Sequence, residues 1–311
     1  MEIPRMEHNK ASLTALYAAW IRAKHYYAED GTKIFEDPVA HHVITASEHE
    51  LLQAAYIGSA KEFLSDIAAS SPDDQTFMKY AMRESAIIAE VLSRARYAEE
   101  QLSEAVGQGI RQYVIIGAGL DTFVFRRPDL LHNLSVFEVD HPATQAFKRQ
   151  RLSEMGLVLP PHVHFVAADL TEVSLATALR TSPFRQDVPA FFSWLGTVMY
   201  IPHDKVLEAL QALRSIAAAG SHLVFDYFDP EAFDPDRAAP RVQVLVEAVR
   251  QRGEPFLSSF VPNELETALS RTGFQIREHL GPSEIGRKYF QGLTEGYRAC
   301  EHAHFMYAAV E

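Results

Sequence analysis

The sequence predicts an α/β protein: one seven-stranded, mostly parallel sheet with its last strand antiparallel, preceded by a helical N-terminal segment. Three observations carry this. From residue 112 onward, short apolar runs alternate with amphipathic stretches. Those runs are almost continuously apolar, as in strands covered on both faces. The stretch before them has helical rather than strand periodicity.

Leu13, Leu16, Trp20 and Ile21 begin the helical part. Ile87, Ile88, Val91, Leu92, Ala95, Leu102 and Val106 continue it at a period of about 3.6. "SSPDD" at 70–74 predicts a break between helices. The strands expected next are "QYVII", "LSVFEV", "VHFVA", "PAFFSWL" and "SHLVFDY". Between them lie helices such as "HPATQAFKRQRLSEM" and "HDKVLEALQALRSIAAAG", the latter stopped by Gly220. "FQIREHL" and "HFMYAAVE" close the chain, joined by a segment containing "GPSEIGRKYFQG" that reads as a loop, so the closing pair is expected to be antiparallel. Before "FQIREHL" comes a long insertion, around 228–262, with the Asp/Pro-rich "FDPEAFDPDRAAPR" and the helix "VQVLVEAVRQRG". A further helix is expected to be capped by Asn263, three residues before Glu266. The organisation expected is one structural domain: a helical extension over 1–110 packed as a lid on a core over 111–311, with the insertion as a second lid.

The 311 residues, 47% apolar and 23% charged, have an ordinary globular composition. A formal net charge of −12 disfavours a general nucleic-acid or anionic-membrane binder. The single cysteine, Cys300, excludes intrachain disulfides and Cys-rich metal sites. "MEIPRMEHNK" lacks the apolar core of a signal peptide, and no apolar run approaches a membrane span, so a cytoplasmic protein is expected.

Function enters at "YVIIGAGLDTFVFR", residues 113–126. A strand ends at Gly117-Ala118-Gly119, where missing Cβ atoms let a ligand approach the backbone. The dinucleotide fingerprint requires a third glycine or alanine, but Thr122 stands there, and Asp121 puts a carboxylate at the mouth of the turn. A negative charge opposes a pyrophosphate and suits a cation such as a sulfonium. Glu138 and Asp140 lie about 20 residues further on at the end of the second strand, where acidic side chains accept from ribose hydroxyls. Asp169 ends the third strand, placed either to accept from an adenine amino group or to cap a following helix.

With these residues assembled, the chain resembles the leucine carboxyl methyltransferase family in its broad sense. That family includes bacterial S-adenosylmethionine-dependent O-methyltransferases, some acting on polyketides and other natural products. The matching pieces are "GAGLDT", "FEVDHP" followed by Lys148, "AADL", "FFSWLGTVMYIP" and "GRKYFQG". The resemblance implies a Rossmann-like class I methyltransferase fold with S-adenosyl-L-methionine as cofactor. It implies that Arg83, in "MRESA", grips the methionine carboxylate, and that the turn Gly117, Ala118, Gly119 and Asp121 lines the methionine part. Asp140 would hold the ribose, and Asp169 with Leu170 would frame the adenine. Leu195 departs from the pattern, standing where the family often has a glutamate beside the cofactor.

Methyl transfer from a sulfonium is an in-line displacement that proximity and water exclusion can drive. A carboxylate acceptor needs no base at neutral pH, whereas a phenol gains from one. Tyr200 and His203 in "MYIPHD", and Asp226 and Tyr227 at the end of the fifth strand, are the candidates for the acceptor side, and Arg287-Lys288 could meet an acidic substrate. No metal motif is present, and no metal is expected. The expected partner is a small-molecule acceptor. Two other readings stand beside this one: a nicotinamide-dependent oxidoreductase on a similar sheet, and a non-catalytic adenosine-binding protein.

Overall fold

A computed structural model describes residues 12–28, 33–251, 253–292 and 296–311. Before the sheet come α1 (Leu13–Ala28), α2 (Ala46–Phe63), α3 (Ser65–Ser70), α4 (Asp74–Glu84) and α5 (Ala86–Gly107). The break expected at 70–74 falls between α3 and α4, where Asp73 caps α4 by accepting from the Thr76 amide. A capping box that the sequence reading missed starts α2: Thr45 and Glu48 satisfy each other's backbone amides.

The strands are β1 (Gln112–Ile116), β2 (Ser135–Asp140), β3 (Val163–Ala167), β4 (Ala190–Trp194), β5 (His222–Phe228), β6 (Phe274–Leu280) and β7 (Ala303–Val310). The remaining helices are α6 (Phe123–Arg126), α7 (Pro128–Leu131), α8 (Pro142–Glu154), α9 (Leu175–Leu179), α10 (His203–Ile216), α11 (Pro240–Gln251), α12 (Pro262–Arg271) and α13 (Pro282–Ile285). Asn263 does not cap α12. Val261 holds the cap position without a side-chain bond, and Pro262 opens the helix because its fixed φ and missing N–H cost nothing there. Glu266 instead bonds His279 on β6.

The sheet order is β3-β2-β1-β4-β5-β7-β6, and β7 is antiparallel to both neighbours. The connection into β7 holds α13 and a π-helical turn, Gly286–Phe290, rather than a crossover helix. Strand order reverses between β1 and β4, and at such a switch point the diverging connections leave a crevice at the carboxyl ends.

Both sheet faces are buried, which explains the continuous apolar runs. Tyr113 and Ile115 of β1 join Phe191 and Val224 in a core shared with α1, α4 and α5. Val114 and Ile116, pointing the other way, join Phe192, Leu223 and Phe225 beneath α9, α10 and α12. The N-terminal helices therefore supply one of the sheet's two covering layers. Within the described residues no helix is long and apolar enough to cross a membrane.

One buried carboxylate ties that layer to the strand ends. Asp37, fully inaccessible, accepts from Arg22 Nε of α1 at 2.8 Å and from Thr122 Oγ1 at 2.7 Å. Its other oxygen accepts from the amides of Val39 and Ala40. Arg126 lies 3.5 Å from it and pairs with Glu99 of α5 at 2.5 Å. Burial alone would raise Asp37, but Arg22, Arg126 and the Thr122 hydroxyl outweigh it and hold the carboxyl below its ordinary value. Asp37→Ala is therefore expected to cost about 3–5 kcal/mol at neutral pH, measured by urea unfolding. A depressed folded-state value gives stability that is full above the unfolded aspartate value and lost as pH falls through the folded one. The wild type should accordingly lose more stability on acidification than the variant does.

Candidate active site

A cavity of 530 Å³ opens at the carboxyl ends of β1 and β4. Its floor is the glycine turn. Gly117 and Gly119 have φ of +71° and +51°, in the left-handed region that disfavours side chains. A Cβ on Gly117 would lie 2.5 Å from Thr197 Cγ2, and one on Gly119 would lie 3.1 Å from Ala15 Cβ of α1. The turn is thus clamped between the β4 loop and the N-terminal helix. Ala118 and Asp121 line the cavity with it.

Asp140, at the tip of β2, also lines the cavity and accepts from the Gly119 and His141 amides. Burial raises its carboxyl above the ordinary range while those amides pull the other way. Glu138 does not reach the cavity. It sits two residues back along β2, about 7 Å below the strand tip. There it is buried and paired with Lys148, which is equally buried, and its Oε1 has no hydrogen-bond partner. Burial pushes Glu138 up to about 7, although Lys148 pulls it down.

Asp169 lines the cavity, accepts from Thr171 and approaches His141 Nε2 at 3.8 Å. It does not cap α9, whose cap is Ser174. The Leu170 side chain packs toward the α9 and α10 face, while Thr171 and Glu172 line the cavity instead. Thr122 is buried away from the ligand space by its bond to Asp37, and the helix that follows has a single turn.

Arg83 does not line the cavity. It lies in the last turn of α4, with its stem against Gly296, outside the cavity lining. Arg94, one helix later on α5, does line the cavity. Its Nη1 donates to Asp226 Oδ2 at 3.2 Å, and its guanidinium lies on the backbone of Gly196, where any Cβ would overlap it. Asp226 is fully buried and receives the Gly196 amide on its other oxygen at 2.7 Å, so it faces Arg94 rather than an acceptor. Tyr227 points to the opposite sheet face and bonds His279. Arg94 escaped the sequence reading because Glu90 and Arg94, spaced i, i+4, look like an exposed helix pair. The available signal was their position between Val91, Leu92 and Tyr97, on the apolar stripe.

Leu195 lines the cavity, as does Tyr200, whose ring meets Phe256 edge-on at 5.1 Å. His203 is not brought in. It opens α10 directly after Pro202, and its ring stacks on Phe260 at 4.4 Å, outside the cavity lining. Arg287 and Lys288 pair with Glu284 and Glu278, away from the cavity. The roof comes from the two segments expected to act as lids. Ser12, Thr14 and Ala15 at the start of α1 meet Gly253, Glu254 and Pro255 after α11. Glu254 accepts from the Ser12 hydroxyl and from the amide and hydroxyl of Thr14.

A parallel sheet with a glycine cradle, an acidic residue on the neighbouring strand tip and an arginine beside the cradle defines a nucleoside-binding enzyme of the doubly wound class. The leucine carboxyl methyltransferase family model matches residues 15–214, and the chain belongs to that family. A Bacillus subtilis protein with the provisional name S-adenosyl-L-methionine-dependent methyltransferase YktD is 35% identical over 97% of this chain and 99% of its own length. A Mycolicibacterium gilvum protein provisionally named in the same way is 27% identical over 81% of this chain and 80% of its own. Among solved structures, a Streptomyces avermitilis DUF574 family protein superposes with a TM-score of 0.58, at 13% identity over 99% of this chain and all of that one. A Thermobifida fusca protein superposes at 0.55, with 15% identity over 97% and 96%. These two likenesses concern the fold. The protein is thus an S-adenosylmethionine-dependent methyltransferase, and the nicotinamide-dependent reading gives way.

Two variants test the site's construction. Gly196→Ala should displace the Arg94 guanidinium and weaken S-adenosylhomocysteine binding at least about tenfold by calorimetry, the loss of one charged contact. Lys148→Met should be less stable than the wild type by about 3–5 kcal/mol at pH 8. Because Glu138 has a raised folded-state value, stability falls as pH climbs from its ordinary 4.5 toward 7, and losing Lys148 extends that fall upward. Urea unfolding should therefore show the gap narrowing at pH 5.

Proposed function

We propose that this methyltransferase transfers its methyl group to an oxygen, a carboxylate or a hydroxyl, of a small molecule such as a polyketide-like natural product. The observation that carries the reading is the continuity of the cavity. Tyr200, Pro202, Pro255, Leu257 and the start of α1 line the same 530 Å³ cavity as the glycine cradle.

The residues present fit the cofactor. Arg94, held on the Gly196 backbone at the cavity, would take the methionine carboxylate bidentately. Gly117, Ala118 and Gly119 leave backbone room for the methionine chain, and Asp121 puts negative charge on the wall. Asp140 would accept from the ribose, with Asp169 and His141 on the adenine side. Bound there, S-adenosylmethionine supplies an electrophilic methyl group on a sulfonium.

The chain's own contribution is to hold an acceptor oxygen in line and exclude water, which Tyr200 and the Glu254-latched roof are placed to do. Among the described residues, His141 is the only histidine lining the cavity, and it sits on the Asp169 side. Among the described residues no second imidazole lines the cavity to deprotonate a phenol, which favours an acceptor already ionised at neutral pH, namely a carboxylate.

Calorimetry with S-adenosylhomocysteine is the first test, and Asp140→Ala should lose at least about tenfold in affinity. With tritiated cofactor and a panel of carboxylic and phenolic metabolites, the labelled product should release methanol in mild alkali, as an ester does and an ether does not. Label transfer confined to nitrogen or carbon acceptors would sink the oxygen assignment.

A further inference from the structure

Arg94 belongs to a buried constellation that the cofactor contacts alone do not explain. Asp226, in the middle of β5 and fully inaccessible, receives Arg94 Nη1 on one oxygen and the Gly196 amide on the other. Glu90, one helical turn before Arg94, is also buried, is close enough to Asp226 to feel its charge, and has an Oε1 that no donor satisfies. Two carboxyl groups side by side in a dry interior do not both ionise. Burial pushes Glu90 well above its ordinary range, and Asp226 adds to the push.

We propose that Glu90 and Asp226 form a positioning pair: Glu90 donates a carboxyl hydroxyl to Asp226, and Asp226 fixes Arg94 on the Gly196 backbone with its remaining N–H groups facing the cofactor carboxylate. The inference rests on the assignment of Arg94 to that carboxylate. Asp226 touches no ligand, since it does not line the cavity. It acts through Arg94 and through the β4 loop that it holds by Gly196. The pair would hold the guanidinium in one orientation at the cavity. A flexible arginine would have to be ordered at the moment of binding, at a cost in affinity. Gly196 completes the device, because any side chain there would occupy the guanidinium's place.

The test compares two ligands by calorimetry on the full chain: S-adenosylhomocysteine, and 5′-methylthioadenosine, which keeps the thioether and nucleoside but lacks the carboxylate and ammonium. Asp226→Asn should weaken S-adenosylhomocysteine at least about tenfold while methylthioadenosine stays within about threefold. Glu90→Leu, which removes the donor, should show the same selective loss, and Glu90→Gln, whose amide can donate in its place, should restore it. Arg94→Lys keeps the charge but cannot reach Asp226 and the carboxylate together, so it should also lose affinity selectively; this arm stands even if Asp226→Asn does not fold. Equal weakening of both ligands by Asp226→Asn, an Arg94→Lys protein that binds like wild type, or a Glu90→Gln protein as impaired as Glu90→Leu would each overturn the positioning role. Arg94→Gln separates the two levels. If it leaves the preference for S-adenosylhomocysteine over methylthioadenosine intact, the carboxylate assignment itself is wrong.

Discussion

The site depends on the bond between Thr122 and Asp37. Through it, a hydroxyl in the segment after the cofactor turn is fastened to a carboxylate that also holds Arg22 of α1 and lies against Arg126. Arg22 returns to the turn by donating to the Leu120 carbonyl at 2.7 Å. The floor of the cavity and the helix that roofs it are therefore one hydrogen-bonded unit. Two arginines and two carboxylates in so dry a place nearly cancel, so the unit adds little net field to the ligand space.

Much of the fold was legible because burial on both sheet faces writes itself as continuous apolar runs. All seven strands lie within a residue or so of the runs that announced them. "GAGLDT" and Asp140 were equally legible, since a positive-φ turn and a strand-tip carboxylate leave few alternatives. What failed did so for definite reasons. The resemblance implies Arg83 for the methionine carboxylate, but Arg83 lies outside the cavity lining and Arg94, eleven positions on, lies within it. Strand parity gave Glu138 and Asp140 a common side but ignored depth, and two residues of strand put Glu138 below the cavity. His203 follows a proline that starts a helix, and the helix direction carries its ring to Phe260. The reading of Thr122 as a missing third glycine was sound about the turn but silent about its partner, because Asp37 is 85 residues away.

The electrostatics show why net charge says little about a site. A chain of formal charge −12 places Arg22, Arg94 and Arg126 in the cavity lining, each beside a buried or half-buried carboxylate. Such arginines cost more to desolvate than they return in stability. What they provide is direction: a guanidinium already paired on one edge presents the other at a fixed angle.

The place of β7 has a consequence for how the protein is made. This strand is translated after all the others, yet it lies between β5 and β6 and is the partner of both. Until it emerges from the ribosome, β5 is an open edge, and β6 has no neighbour to pair with. The nascent chain thus carries a nearly finished sheet with one sticky border for the whole interval between synthesis of β5 and of β7. A chaperone acting on this protein would find its target at that border, and shortening the chain by residues 303–310 would leave the border permanently open.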